Sequence, residues 1–171
     1  MSLPEPRDPS SPYRIALVCL GNICRSPMAE KVLAADLERA GLGTLVRVDS
    51  FGTGHWHVGE GMDPRAASTL RVHGYLTGHT ARQVTPGELA LRDLVLAMDL
   101  DNLEELHRSA GEHGLDASRL RLFRSFAPGV GARPEVPDPY YGGDDGFTAV
   151  LTMVEAAAKG LTGELVTRLR G

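Results

Sequence analysis

The chain has 171 residues, 42% of them hydrophobic, and a formal net charge of −4, which allows one well-formed core and sets a single globular domain as the expectation. The acidic balance excludes the basic face that a nucleic-acid binder needs, and no apolar run approaches the ~18 to 20 residues that span a bilayer. No charged start leads into an apolar signal core, so the expected address is a reducing cytoplasm with no membrane partner.

Met1 to Pro12 holds four prolines, three serines and three charges with almost nothing to bury, and is expected to be a disordered tail preceding a catalytic domain over 13–171. The apolar run Ile15 to Leu20 predicts a short buried strand. From Ser26, the residues Met28, Val32, Leu33 and Leu37 recur at helical period opposite Glu30, Lys31, Glu38 and Arg39, until Gly41 stops the pattern. Leu45 to Phe51 predicts the second strand, and Asp63-Pro64 opens a helix that Gly74 ends, with Asp63 as its cap. A short helix near Pro86 precedes a third strand over Asp93 to Met98 and a helix over Asp99 to Ala110. Leu120 to Phe123 is the fourth strand, Arg124 to Glu135 a mobile lead, and Gly146 to Arg168 a long final helix. Strands alternating with helices predict a three-layer α/β/α fold around a central four-stranded parallel sheet. Ligands in such sheets bind beyond the carboxyl ends of the strands, where the strand order switches.

The loop after the first strand occupies that place, and it reads Cys19-Leu20-Gly21-Asn22-Ile23-Cys24-Arg25-Ser26-Pro27. A strand feeding a tight loop at a helix N-terminus aims unpaired backbone N–H groups and the positive end of the helix dipole at one spot, which suits an anion. A guanidinium beside that spot favours the thiolate of Cys19, the form that attacks. Five residues separate Cys19 from Arg25, enough for the loop to curl so that the arginine fork grips two phosphate oxygens while sulfur faces phosphorus. Ser26 is placed to hydrogen-bond the thiolate, Gly21 to supply a positive φ, Asn22 to tie the loop internally, and Pro27 to fit the first helical turn. The bland alternative, two small apolar cysteines at a strand end, leaves Gly21, Asn22, Arg25 and Ser26 unexplained.

This segment resembles the phosphate-binding loop of the low-molecular-weight protein tyrosine phosphatases, whose signature is Cys, five residues, Arg, then Ser or Thr. A second match, Asp138-Pro139-Tyr140-Tyr141, is similar to the family's general-acid loop. Weaker echoes lie at Asp49-Ser50, Trp56-His57-Val58-Gly59, Asp63-Pro64-Arg65, His73-Gly74, His79-Thr80-Ala81-Arg82-Gln83 and Met98-Asp99, so the resemblance covers about residues 13 to 170. It implies a flavodoxin-like fold of the phosphotyrosine phosphatase I type and metal-free hydrolysis of phosphotyrosine monoesters in proteins. Cys19 would be the nucleophile, Arg25 the phosphate clamp and Asp138 the general acid and base. Leu20, Gly21, Asn22, Ile23, Cys24 and Ser26 would cradle the phosphate, while Trp56, Tyr140 and Tyr141 would wall the substrate ring. Ser50 and His73, with Asn22, would support the loop; Arg82 and Asp99 would have structural roles. No cofactor is implied, and a monomer is expected. Relatives that act on phosphoarginine carry threonine where Ile23 stands, so Ile23 tilts the reading to tyrosine. Two thiols around one turn also permit a Cys19–Cys24 disulfide after peroxide exposure.

The individual residues have plainer readings. Asp138-Pro139 is ordinary Asx-turn chemistry, Trp56 between two histidines suits partial burial over a loop, and His73 suits a polar helix end. Other functions fit less well. An arsenate reductase needs further redox cysteines, and the chain has none outside the loop. Thioredoxin-like exchange needs Cys-x-x-Cys, a zinc site needs more thiolates or a spaced histidine pair, and a nucleotide loop needs Gly-x4-Gly-Lys-Ser/Thr. A phosphopeptide-binding module without catalysis would not require Cys19, Arg25 and Asp138 together.

Overall fold

In the computed structural model, which describes residues 2–171, a four-stranded parallel sheet has the order β2-β1-β3-β4. The strands are β1 (Tyr13–Cys19), β2 (Val46–Gly52), β3 (Leu94–Ala97) and β4 (Leu120–Leu122). The helices are α1 (Arg25–Arg39), α2 (Pro64–Val72), α3 (Pro86–Ala90), α4 (Leu100–Glu112) and α5 (Asp144–Arg170). All four expected strands form, and the helices sit where periodicity placed them, with ends differing by a few residues. Among the described residues no helix is long and apolar enough to cross a membrane.

Strand period divides the core. In β1, Tyr13, Ile15, Leu17 and Cys19 pack on one face with Met28, Val32 and Leu33 of α1 and Phe147, Val150 and Leu151 of α5. Ala16 and Val18 face the other way, against Phe51, Leu89 of α3, and Leu106 and Ala110 of α4. The two alternating sets give the sheet a helical layer on each side. Asp63 caps α2 by accepting from the Arg65 N–H, as the sequence indicates, and Asp99 caps α4 in a reciprocal capping box with Asn102.

The amino-terminal segment departs from expectation. Instead of a disordered tail, residues 2–12 form a strap across the amino ends of the strands, opposite the Cys19 loop. Leu3 is buried in the core, and the Tyr13 hydroxyl donates to the Pro4 carbonyl (3.0 Å). Arg119 donates to the Glu5 carbonyl (2.8 Å) and Arg121 to that of Ser2 (2.7 Å). Asp93 accepts from the Arg7 N–H (2.6 Å) and from that of Arg14 (2.7 Å), and Glu5 pairs with Arg168 on α5. One leucine and a row of polar fasteners supplied by distant parts of the chain thus hold a segment whose own composition offers little to bury. Its prolines lessen the backbone entropy that ordering costs.

The order 2-1-3-4 places β1 between the strand that follows it and β3, so the chain reverses its direction of travel across the sheet beside β1. The loop that leaves β1 therefore opens into the crevice at the switch point.

Candidate active site

Cys19 ends β1, and Cys24 is the N-cap of α1 (φ −117°, ψ −84°); among the described residues no side chain caps this helix. Its first N–H groups therefore remain available to an anion beside Cys19, where the dipole adds positive potential.

Asn22 locks the loop. Its φ of 57° is left-handed, a conformation asparagine adopts more readily than most residues. Gly21, expected to supply that positive φ, does not. It matters for space, because a Cβ there would lie 3.0 Å from His57 Cδ2. Gly52 likewise gives the loop room, since its Cβ would stand 2.7 Å from the Leu20 carbonyl oxygen. The buried Asn22 amide donates to Ser26 Oγ (2.9 Å) and Ser50 Oγ (3.0 Å). Its Oδ1 accepts from the Arg82 N–H (2.9 Å), and its backbone carbonyl accepts from His79 Nε2 (2.7 Å). Because that partner only accepts, His79 carries a proton on Nε2. Burial holds its pKa below the ordinary histidine value, against the opposing pull of the Asn22 carbonyl.

Cys19 Sγ lies 3.0 Å from Ser26 Oγ and 3.3 Å from the Asn22 backbone N, which donates to it. Ser26 also donates to the Phe51 carbonyl (3.2 Å). When sulfur is a thiol it can donate to Ser26 while Ser26 bonds Phe51; when sulfur loses its proton the same hydroxyl can rotate to donate to it. Cys24 is different in kind. Burial pushes its thiol well above the ordinary range, with the Asp63 and Cys19 charges adding to the effect, so it stays protonated at neutral pH. Both cysteines are free.

Arg25, 2% exposed, opens α1 with its guanidinium fixed from two sides. Nη1 donates to Asp99 Oδ2 (2.6 Å) and to the Val136 carbonyl (3.1 Å), and Nη2 stands 3.6 Å from Asp138 Oδ2. Burial works against its charge, but Cys19, Asp99 and Asp138 outweigh that and raise its pKa. Asp138 Oδ1 accepts from the Tyr140 N–H (3.0 Å), so the Asx turn read as the bland alternative is present. It holds the carboxyl with its other oxygen toward Arg25.

These groups share a cavity of about 320 Å³. Cys19 and Arg25 lie at its base, with Leu20, Gly21, Ile23 and Cys24 around them, and Asp138, Trp56, His57, Tyr140 and Tyr141 complete the wall. Trp56 stacks on His55 at 5.4 Å, and Tyr140 meets Tyr141 edge to face at 4.9 Å. Trp56 is 65% and Tyr141 93% exposed, so these two stand at the mouth while Tyr140 lies deeper. A thiol, an uncapped helix terminus, a buried guanidinium and a carboxyl on one aromatic-rimmed cavity can carry out phosphoryl transfer to sulfur.

Residues 14–170 match the family model for low molecular weight phosphotyrosine protein phosphatase. The chain belongs to this family. It is 51% identical over 160 residues to a low molecular weight protein-tyrosine-phosphatase of Streptomyces coelicolor, covering 93% of this chain and 97% of that one. It is 48% identical over 153 residues to low molecular weight protein-tyrosine phosphatase A of Mycobacterium tuberculosis, covering 89% and 91%. A crystal structure of a protein tyrosine phosphatase from Entamoeba histolytica, with Hepes in its active site, superposes with a TM-score of 0.85 at 33% identity, covering 91% of this chain and 98% of that one.

One supporting residue expected in this phosphatase is elsewhere. His73 caps the end of α2, where its Nδ1 meets the Thr69 carbonyl (2.9 Å) on an exposed surface, as the polar-helix-end reading had it. The histidine that reaches Asn22 is His79. Its signal was present in the sequence: His79 stands three residues before Arg82 in an extended, Gly-flanked segment, and the Arg82 N–H is the one that bonds Asn22 Oδ1. Asp99 carries more than the structural role expected of it, by gripping Arg25.

Proposed function

We propose that this chain hydrolyses phosphotyrosine monoesters in proteins through a cysteinyl-phosphate intermediate. The observation that carries the reading is the convergence of Cys19 Sγ, the uncapped α1 terminus and the buried Arg25 at one cavity base, with Asp138 Oδ2 3.6 Å from Arg25 Nη2.

The substrate dianion enters the loop, where Arg25 and backbone N–H groups bind its oxygens and stabilise the charge redistributed in the transition state. The Cys19 thiolate attacks phosphorus, and the S–P bond forms as the P–O bond to the phenol breaks. Asp138 gives its proton to the departing oxygen. A water then attacks the cysteinyl phosphate and passes a proton to the Asp138 carboxylate. The S–P bond breaks, releasing inorganic phosphate and restoring the thiolate hydrogen-bonded by Ser26 and Asn22. Asp99 keeps the Arg25 fork aimed throughout.

Tyr140 and Trp56 provide the faces between which an aromatic ring fits, Tyr141 extends the wall at the mouth, and Ile23 presents an apolar side chain where a guanidine would want a polar one. The site is complete within one chain, which supports action as a monomer. Two free cysteines suit the reducing cytoplasm as its setting.

Phosphate release from phosphotyrosine, phosphoserine and phosphoarginine peptides, without added metal, tests the reading. Rapid turnover of phosphotyrosine is expected. Preference for phosphoarginine would overturn the role given to Ile23, and tight phosphopeptide binding without turnover would overturn the enzymatic reading itself.

A further inference from the structure

The acid loop is poorly fastened by its own chain. Between β4 and α5 the segment 127–143 forms no regular element. Upstream of Asp138 it is pinned where the Val136 N–H donates to the Met98 carbonyl (2.8 Å) and the Val136 carbonyl accepts from Arg25. Downstream, the turn Pro139–Gly142 closes on itself, with the Gly142 N–H donating to the Pro139 carbonyl (3.0 Å). Among the described residues, the hydrogen bonds that reach 139–142 from outside the loop come from one side chain, Arg65, while the Gly143 carbonyl accepts from the Gly146 N–H of α5 (3.1 Å). Arg65 Nη2 donates to the Tyr140 carbonyl (3.0 Å) and its Nη1 to that of Gly142 (3.3 Å).

Arg65 is itself held on the other side. Nε and Nη2 fork onto Asp63 at 3.2 Å and 3.0 Å, and the guanidinium lies over the rings of Tyr140 (5.5 Å) and buried Phe147 (4.6 Å). Asp63 is tied to the phosphate loop, because its N–H donates to the Ile23 carbonyl (2.9 Å). A continuous path therefore runs from the phosphate loop through Asp63 and Arg65 to Tyr140, whose own N–H holds Asp138 Oδ1. The nucleophile's loop and the proton donor's loop leave different strands, and Arg65 bridges them downstream of Asp138 as Arg25 does upstream, at Val136.

We infer that Arg65 is a positioning residue for the general acid: by gripping the Tyr140 and Gly142 carbonyls from Asp63 it holds the Asp138 carboxyl over the leaving oxygen. A planar fork fixed by a carboxylate on one edge and two carbonyls on another does this where a lysine, a single point of charge on a flexible stem, does not. The inference rests on the acid role proposed for Asp138, and the test separates the two.

The quantity to measure is kcat/KM, which ends at the first irreversible step and so contains leaving-group protonation, for phosphotyrosine and for 4-nitrophenyl phosphate, whose phenolate leaves without help. Losing the acid itself lowers the phosphotyrosine value by ~10²-fold or more. Arg65→Ala is expected to lower it about 10- to 50-fold while lowering the 4-nitrophenyl phosphate value only a few-fold, with Arg65→Lys between wild type and Ala. Combined with Asp138→Asn, Arg65→Ala should add less than about a further twofold loss, because two residues acting through one proton are not additive. Competitive inhibition by inorganic phosphate should stay unchanged in the Lys and Ala variants, which reports an intact phosphate loop. An equal fall for both substrates, or a full multiplicative loss on top of Asp138→Asn, overturns the positioning role while leaving Asp138 as the acid. An Asp138→Asn enzyme with no leaving-group dependence removes the acid assignment, and the positioning role with it.

Discussion

The two loops that meet at the cavity are built on opposite plans. From Cys19 to Ser26 the chain is buried apart from Leu20 and the half-buried Gly21, and Asn22 alone joins it to Ser26, Ser50, His79 and Arg82. From residue 127 to 143 the chain is mostly exposed and is hung from Glu135 and Val136 and from the Arg65 fork. The difference follows from what each loop does. An anion cradle gains from donors that need no reorganisation when charge arrives, so its hydrogen bonds are buried and redundant. A loop that delivers a proton and also frames the mouth must let substrate in and phosphate out, and its few fastenings lie near solvent.

Substitutions that remove the chemical group from each loop bring the largest effects. Cys19→Ser should abolish turnover, by on the order of 10⁴-fold or more, because a hydroxyl in the same place is scarcely ionised. Phosphate binding and urea midpoint should stay near wild type, since Cys19 is replaced by a similar-sized side chain in a site built for an anion. Asp138→Asn should lower kcat/KM for phosphotyrosine about 10²- to 10³-fold with little loss of stability, as the exposed carboxyl contributes one bond to its own turn and a 3.6 Å ion pair to Arg25, whose guanidinium keeps its bonds to Asp99 and the Val136 carbonyl. If Asp138→Asn unfolds the protein instead, the view of this loop as lightly tethered fails.

The contrast in construction is tested by stability. Asn22→Ala removes three side-chain hydrogen bonds, two of them to the buried Ser26 and Ser50 hydroxyls, and puts a Cβ-bearing residue without asparagine's tolerance at φ 57°, and should cost about 2–4 kcal/mol in chemical denaturation. Asn22→Gly, which relieves the backbone but not the lost bonds, should recover only part of it. Tyr141→Ala, at 93% exposure in the other loop, should change stability by less than about 0.5 kcal/mol. Equal costs at the two positions would dissolve the distinction between a rigid cradle and a hung loop.

The same contrast explains what could be read from the amino-acid sequence. The phosphate loop is local: a strand, a turn and a helix start within Cys19 to Pro27, and each residue type has one sensible task there. Asp138 was legible only because a second short motif marks it. What stayed hidden depends on partners far along the chain. Residues 2–12 look unfoldable in isolation because Arg119, Arg121, Asp93 and Arg168, which hold them, come from β4, from the segments leading into β3 and β4, and from α5. His73 and His79 stand six residues apart in similar polar surroundings, and only tertiary placement sends one to Thr69 and the other to Asn22. Gly21 was given the positive φ that Asn22 in fact adopts, a choice that one turn's hydrogen bonds decide and composition does not.

His79 offers the smallest and most selective test of the cradle. Its pKa is lowered by burial in the fold, so between the folded and unfolded values the unfolded chain binds the proton and the folded chain does not. Stability therefore rises with pH through that window: His79 contributes fully above about pH 6.5, the ordinary value, and its contribution is lost as pH falls below it. Glu30 pulls toward the charged form, while Lys31 and Arg82 oppose it, so burial is reinforced by two cations and countered by one carboxylate and the Asn22 carbonyl. Urea unfolding at pH 7.5 and pH 5.5 should show wild type losing stability on acidification, and His79→Gln, which keeps a donor within reach of Asn22 but cannot titrate, losing less. An identical pH slope in both proteins would mean that acid acts on groups other than His79 and that the cradle does not feel the titration of its histidine.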